Sequence, residues 1–172
     1  MALVVFLRGV NVGGHRTFRP SELAKQLQHL DAVNIGAAGT FVIRKRVSQA
    51  KLRAELKKRL PFDTKVAICD GSDILALIDA APYGHQSPKP GIVRFVSVHC
   101  APARAAAKPI RLPSTGQWLV RVIGGDRRFV IGEYRRHMKT IGHLGKLDGL
   151  FGAPVTTRNW NTINAIAKTL RR

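Results

Sequence analysis

The chain has 172 residues, 45% of them hydrophobic, with 16 glycines and 9 prolines, a composition that excludes a disordered or fibrous protein and suits one domain or two small halves. Its 29 Lys and Arg against 10 Asp and Glu leave a net charge of +19, which favours nucleic acid or another polyanion as partner, because each neutralised phosphate releases counterions. Apolar runs such as Ala2 to Leu7 fall far short of the roughly 20 residues that cross a bilayer, and Met1 lacks the basic flank of a secretory signal, so no membrane partner and a cytoplasmic location are expected.

Leu3 to Leu7 is a continuous apolar run with β-branched and aromatic members, the pattern of a strand covered on both faces. The segment Arg8-Gly9-Val10-Asn11-Val12-Gly13-Gly14 follows as a loop. Pro20 then stands at the favoured first position of a helix whose apolar stripe is Leu23, Leu27 and Leu30. Asp31 to Ile35 and Thr40 to Ile43 read as strands, Ser48 as the cap of a helix carrying Leu52, Leu56 and Leu60, and Lys65 to Cys69 as a further strand. This order is β-α-β-β-α-β, the split βαβ pattern of ferredoxin-like folds.

The second half opens with a helix from Ser72 to near Pro82, then a strand from Ile92 to Val98. Trp118 to Ile123 and Arg127 to Ile131 flank Gly124-Gly125-Asp126, a hairpin signal. Residues 132 to 154 carry five glycines, and little regular structure is expected there. The chain closes on Thr156-Thr157-Arg158-Asn159-Trp160-Asn161, read as a helix start, followed by the stripe Ile163, Ile166, Ala167 and Leu170. The expected fold is α+β. A ferredoxin-like N-terminal half packs with a second α+β half containing the β-hairpin and the C-terminal helix, with sub-halves at 1–70 and 71–172.

Two motifs carry a family resemblance. Leu7-Arg8-Gly9-Val10-Asn11-Val12-Gly13-Gly14 resembles the N-terminal signature of the uncharacterised domain-of-unknown-function family 1697, and Thr156-Thr157-Arg158-Asn159-Trp160-Asn161-Thr162 resembles its C-terminal one. They bracket nearly the whole chain, so the resemblance implies that residues 1–172 form one family unit. It implies no reaction. Where that family commonly carries Ser-Gly-Asn before the third strand, this chain has Ala38-Gly39-Thr40.

The candidate ligand site combines Arg8, Asn11, Gly13 and Gly14 with Arg158, Asn159 and Trp160. Glycines free the first loop to present N–H groups to an anion, and a helix start offers N–H groups and a favourable dipole to a second. The opposing structural reading is that Asn11 ties its own loop, while Thr157 or Asn159 caps a helix and Trp160 is a core anchor. Gly9 to Gly14 has the GxxxxG spacing of a phosphate loop, but His15 and Arg16 stand where Lys and Ser or Thr are needed, so a Walker site is not expected. An RNA-recognition platform built on Phe6 and Phe41 is a rival, although both are expected in the core.

Basic clusters at Arg44-Lys45-Arg46, Lys57-Lys58-Arg59, Arg127-Arg128 and Arg135-Arg136 together could form a surface that tracks a phosphate backbone, while any one of them alone is read as scattered, solvated charge. Cys69 and Cys100 read as buried thiols. No carboxylate pair, GxSxG elbow or metal-ligand spacing is present, so no catalytic residue, metal or cofactor is assigned. The leading expectation is an anion- or nucleic-acid-binding protein. The alternatives are an enzyme or binder acting on a small phosphorylated metabolite and a ligand-free scaffold.

Overall fold

In the computed structural model, the described residues are 1–11, 14 and 17–172. Strand β1 (Leu3–Leu7) is buried along its whole length. It pairs antiparallel with both β3 (Thr40–Ile43) and β4 (Val66–Asp70), and β3 pairs with β2 (Ala32–Asn34). The sheet order is β2-β3-β1-β4. Helix α1 (Pro20–Gln26) begins at Pro20 as expected and passes through Leu27 into a 3-10 turn at Gln28–Leu30. Helix α2 (Gln49–Arg59) is capped by Ser48, whose Oγ accepts the Lys51 N–H at 3.2 Å.

Alternation decides what each face does. Leu3, Val5, Leu7, Phe41 and Ile43 share one face and cluster with Leu23, Leu27, Leu52 and Leu56. Val4, Phe6, Val42, Ala67 and Cys69 on the other face are also fully buried. The register puts Phe41 opposite Val5 and Phe6 opposite Thr40, so the two phenylalanines lie on opposite faces. Neither is accessible to a base, which removes the RNA-recognition platform. Helix α3 (Gly71–Asp79) follows β4 directly.

The chain divides into two compact units, Met1–Ala80 with Thr162–Arg172, and Ala81–Asn161. Both α3 and the C-terminal helix α6 (Trp160–Leu170) are expected with the second half, 71–172; α3, and α6 from Thr162 onward, group with the first unit instead. Within that unit Leu170 lies against Gly71, where a Cβ would come within 2.7 Å of its Cδ2, and Arg171 Nη2 meets Asp79 Oδ1 at 2.9 Å.

The second unit is built on a five-stranded antiparallel sheet ordered β6-β7-β8-β5-β9. Its strands are β5 (Ile92–His99), β6 (Ile110–Leu112), β7 (Val120–Gly125), β8 (Phe129–Arg135) and β9 (Val155–Asn159). The expected β7–β8 hairpin is present, but Gly124 and Gly125 belong to β7 and the turn falls on residues 126–128, closed by the Asp126 N–H donating to Phe129 O, with an irregular register between Val122 and Gly124. One face packs Phe95, Val120, Val122, Val130 and Val155 with Leu147.

Three expectations are corrected here. Residues 132–154 hold the end of β8 and two short helices, α4 (Thr140–Gly145) and α5 (Leu147–Phe151). Thr156 to Asn159 form the greater part of β9 rather than a helix start, since two β-branched threonines after Val155 suit a pleated strand. Cys69 is buried as expected, whereas Cys100 is only half-buried.

Candidate functional site

Arg8 to Asn11 of the N-terminal motif form a tied loop in the first unit. Arg8 ends β1, its N–H donating to Lys65 O at 3.0 Å and its carbonyl accepting from Thr64 Oγ1. Gly9 and Asn11 both take left-handed backbone angles, φ 65° and 55°, which Gly adopts freely and Asn tolerates. The Asn11 amide is engaged at both ends. Nδ2 donates to Ala37 O and Oδ1 accepts from Phe18 N, each at 2.9 Å. The loop therefore holds itself to the turn before β3 and to the approach to α1. Gly14 is exposed with φ 76°, and Gly13 lies outside the described residues.

The turn that receives Asn11 is constrained in its turn by Gly39. Its φ is 72°, and a Cβ there would come within 2.8 Å of Val10 Cγ2 and 2.9 Å of Leu7 Cβ. Here the glycine is required by close approach as well as by backbone angle.

The C-terminal motif lies in the second unit, and alternation along β9 divides it. Arg158 pairs with Val96 and Asn159 with Phe95, so their side chains leave opposite faces. Arg158 is buried at 7% exposure, and its Nη1 donates to Thr156 Oγ1 at 2.8 Å and Thr157 O at 2.9 Å. Burial draws its pKa down to about 10, partly offset by the Cys100 thiol. It thus stays charged at neutral pH, positioned to brace β9. Thr157 shares a 2.6 Å hydroxyl contact with buried Ser97 on β5. Trp160 is half-buried and meets Tyr83 edge-on, with ring centroids 5.0 Å apart. The Tyr83 hydroxyl reaches the carbonyls of Phe95 and, at 2.8 Å, Gly132, and burial raises its pKa.

A second constellation in this unit was missed by the sequence reading. Strand register aligns Arg94 of β5, Glu133 of β8 and Arg121 of β7 in one row across the sheet. Glu133 is 7% exposed. Its Oε2 accepts from Arg121 Nε at 2.9 Å and Nη2 at 2.6 Å, while its Oε1 lies 3.5 Å from Arg94 Nε. Buried carboxylates need such partners. The Arg121 and Arg135 guanidinium carbons stand 4.6 and 4.2 Å from the Trp118 ring centroid, and Arg135 Nε donates to Trp118 O at 2.9 Å.

These residues line a cleft of about 470 Å³ together with Lys89. Four cations thus face one carboxylate. Arg94 Nε is buried without a hydrogen-bond acceptor. Among the described residues, the terminal Nη atoms of Arg94 and Arg135 make no hydrogen bond to an acceptor either. Guanidinium groups held in place by a carboxylate and an indole, with donors unspent, can bind a phosphoryl or carboxylate group by two parallel hydrogen bonds. The sequence signal lay in charged residues alternating on strands, as in Glu133 and Arg135, once the hairpin set Arg121 opposite Glu133.

A smaller cavity of about 210 Å³ adjoins this cleft, sharing Pro88, Ile92 and Arg94 with it. Its further walls include Arg136, Asn159, Trp160 and Asn161. Of the sequence-predicted residues, Asn159 and Trp160 therefore share a cavity, and Arg158 is absent from its walls. Arg8, Asn11 and Gly14 belong to the other unit.

A sequence model described as a protein of unknown function (DUF1697) matches residues 1–126. This chain belongs to that family. The part of DUF1697 matched here takes in Lys89, Arg94 and Arg121 of the cleft, with Glu133, Arg135 and the Asn159–Asn161 wall beyond it. The DUF1697 chain is similar in fold to a conserved bacterial protein from Streptococcus pneumoniae, with a TM-score of 0.63 at 18% identity over 98% of both chains. No curated protein sequence matches it. Among its described residues no three His, Cys, Asp or Glu side chains group as a metal site, and no helix is long and apolar enough to cross a membrane.

Proposed function

We propose that this chain binds phosphate-bearing ligands, with single-stranded nucleic acid as the leading class, through the arginine-lined cleft of the second unit. The observation that carries this reading is the pair Arg94 and Arg135, whose terminal donors are unspent in a cleft of four cations and one carboxylate. A net charge of +19 supplies the long-range attraction that brings a polyanion to it. The N-terminal Arg8-Gly9-Val10-Asn11 loop serves the fold in this reading, and Asn159 and Trp160 of the C-terminal motif extend the site. The order β2-β3-β1-β4 supports taking the first unit as a ferredoxin-like split βαβ platform. That Cys69 and Cys100 form no disulfide fits a reducing cytoplasm.

The test is the anisotropy of a labelled single-stranded RNA against two paired variants. Arg94→Gln with Arg135→Gln weakens binding by about tenfold or more, the worth of lost charge-assisted hydrogen bonds. Lys57→Ala with Lys58→Ala, on exposed positions of α2, changes it far less. Equal losses from the two pairs would reduce the reading to non-specific attraction. Circular dichroism of each variant separates lost binding from lost folding.

A further inference from the structure

The two adjoining cavities of the second unit differ in chemistry in a way that a phosphate site alone does not need. The larger offers guanidinium groups. The smaller offers an indole and two side-chain amides, from Trp160, Asn159 and Asn161, with Ile92 and Val93 as apolar wall. Arg94 lines both, so a ligand contacting it can reach into each.

A planar ring with polar edges is what the smaller cavity suits. Bases stack on aromatic side chains whatever their identity, because every base has a π-face, and amides present a donor and an acceptor together to a base edge. Tyr83 meets the Trp160 ring at 73° and thereby fixes the tilt of the indole, while its own hydroxyl is held at the Phe95 and Gly132 carbonyls. The aromatic wall is therefore positioned before any ligand arrives. Arg94 is similarly preset, its guanidinium carbon 5.1 Å from the Tyr83 ring centroid and its Nε 3.5 Å from Glu133. Tyr83 thus touches both Trp160 and Arg94, linking the aromatic wall to the cationic one.

We propose that the two cavities form one nucleotide site. Its phosphoryl group is held by Arg94 and Arg135 in the larger cleft, and its base lies against Trp160 with the Asn159 and Asn161 amides at its edge. The inference rests on the phosphate-binding reading and adds what else the ligand carries. The same chemistry is offered by a free nucleoside 5′-monophosphate and by one nucleotide of an RNA strand.

Calorimetric titration with ribose 5-phosphate, with the four ribonucleoside 5′-monophosphates, and with a short single-stranded RNA tests it. At least one monophosphate binds about tenfold or more tightly than ribose 5-phosphate, as a stacked base requires. Asn161→Ala, at an exposed position, and Trp160→Phe each shrink that ratio, whereas Lys58→Ala on α2 leaves it alone. Arg135→Gln weakens ribose 5-phosphate and nucleotide together. If ribose 5-phosphate binds as well as every nucleotide, the base subsite is overturned and the phosphate reading stands; if neither binds and the RNA is also indifferent to Arg135→Gln, the phosphate reading itself fails. Displacement of the RNA by the best monophosphate identifies the strand as an occupant of the same site. Binding of both without competition overturns the shared site for the strand and leaves the free nucleotide as its occupant.

Discussion

Asn11 shows how a polar side chain in a glycine loop can be structural. Both ends of its amide are bonded to backbone, and its left-handed φ is one that few other residues adopt. Asn11→Ala removes both bonds and strains the backbone, so it should cost about 1–3 kcal/mol in urea denaturation while leaving RNA affinity at a permissive temperature unchanged. His99 makes the opposite point about burial. It is 5% exposed, packs edge-on to Phe151, and neither ring nitrogen has a hydrogen-bond partner among the described residues. Burial lowers its pKa from 6.5, against the pull of Asp126 and Asp148. The unfolded chain therefore takes up a proton first on acidification. The contribution of His99 to stability is complete above about pH 6.5 and drains as pH falls toward its folded pKa. His99→Leu should flatten the pH dependence of the denaturation midpoint between pH 7 and 5; an unchanged slope would assign that dependence to other groups.

At the scale of elements, the row Arg94–Glu133–Arg121 exists because three strands hold register, and Gly132 lets them do so. A Cβ on Gly132 would lie 2.5 Å from Arg121 O and 2.5 Å from Phe95 Cζ, and the first of these is backbone that cannot swing aside. Gly132→Ala should therefore destabilise the protein by about 1–3 kcal/mol or more and weaken RNA binding beyond what unfolding explains, since it displaces Arg121 and its hold on Glu133. Denaturation and anisotropy on one preparation check both. The same register explains what the sequence made legible. Local pattern was enough for β1, whose five residues are all buried, for α2 and the terminal helix, which bury stripes of their own, and for α1, whose Leu23 stripe continues through Leu27 into the 3-10 turn at Leu30. It was not enough for β9, because Thr and Asn before an apolar helix serve equally as caps or as an edge strand, and partnership with β5 decides between them. The three-residue β6 sits between Pro109 and Pro113 with little pattern to show. In the candidate site, Asn159 and Trp160 were visible because they sit in one contiguous motif. Arg94, Arg121, Glu133 and Arg135 are separated along the chain and meet only through strand pairing, a relation that no single stretch of sequence displays.

At the scale of the whole molecule, the question is whether +19 acts as a diffuse field or through a site. The acidic residues are unevenly shared: of the ten, only Asp126, Glu133 and Asp148 fall within 81–161, against 13 Lys and Arg there. The second unit is thus strongly cationic in its own right, and its cleft holds one of its three acids among four of its cations. Salt separates field from site. For a single strand the slope of log affinity against log salt is about −0.7 per neutralised phosphate. A cleft whose four cations are offset by one carboxylate accounts for roughly three phosphates and a slope near −2, while a diffuse surface using many more cations would give a far steeper one. Beyond a Debye length of about 8 Å at physiological salt, the outlying charges are largely screened. Anisotropy titrations across a salt series should therefore show a shallow slope that Arg94→Gln with Arg135→Gln reduces in magnitude by about 1.4, the share of two phosphates. The Lys57→Ala and Lys58→Ala pair removes as much formal charge and should leave the slope in place. A slope that depends on how many charges are removed, and not on which, would place the binding in the field and take the cleft out of it.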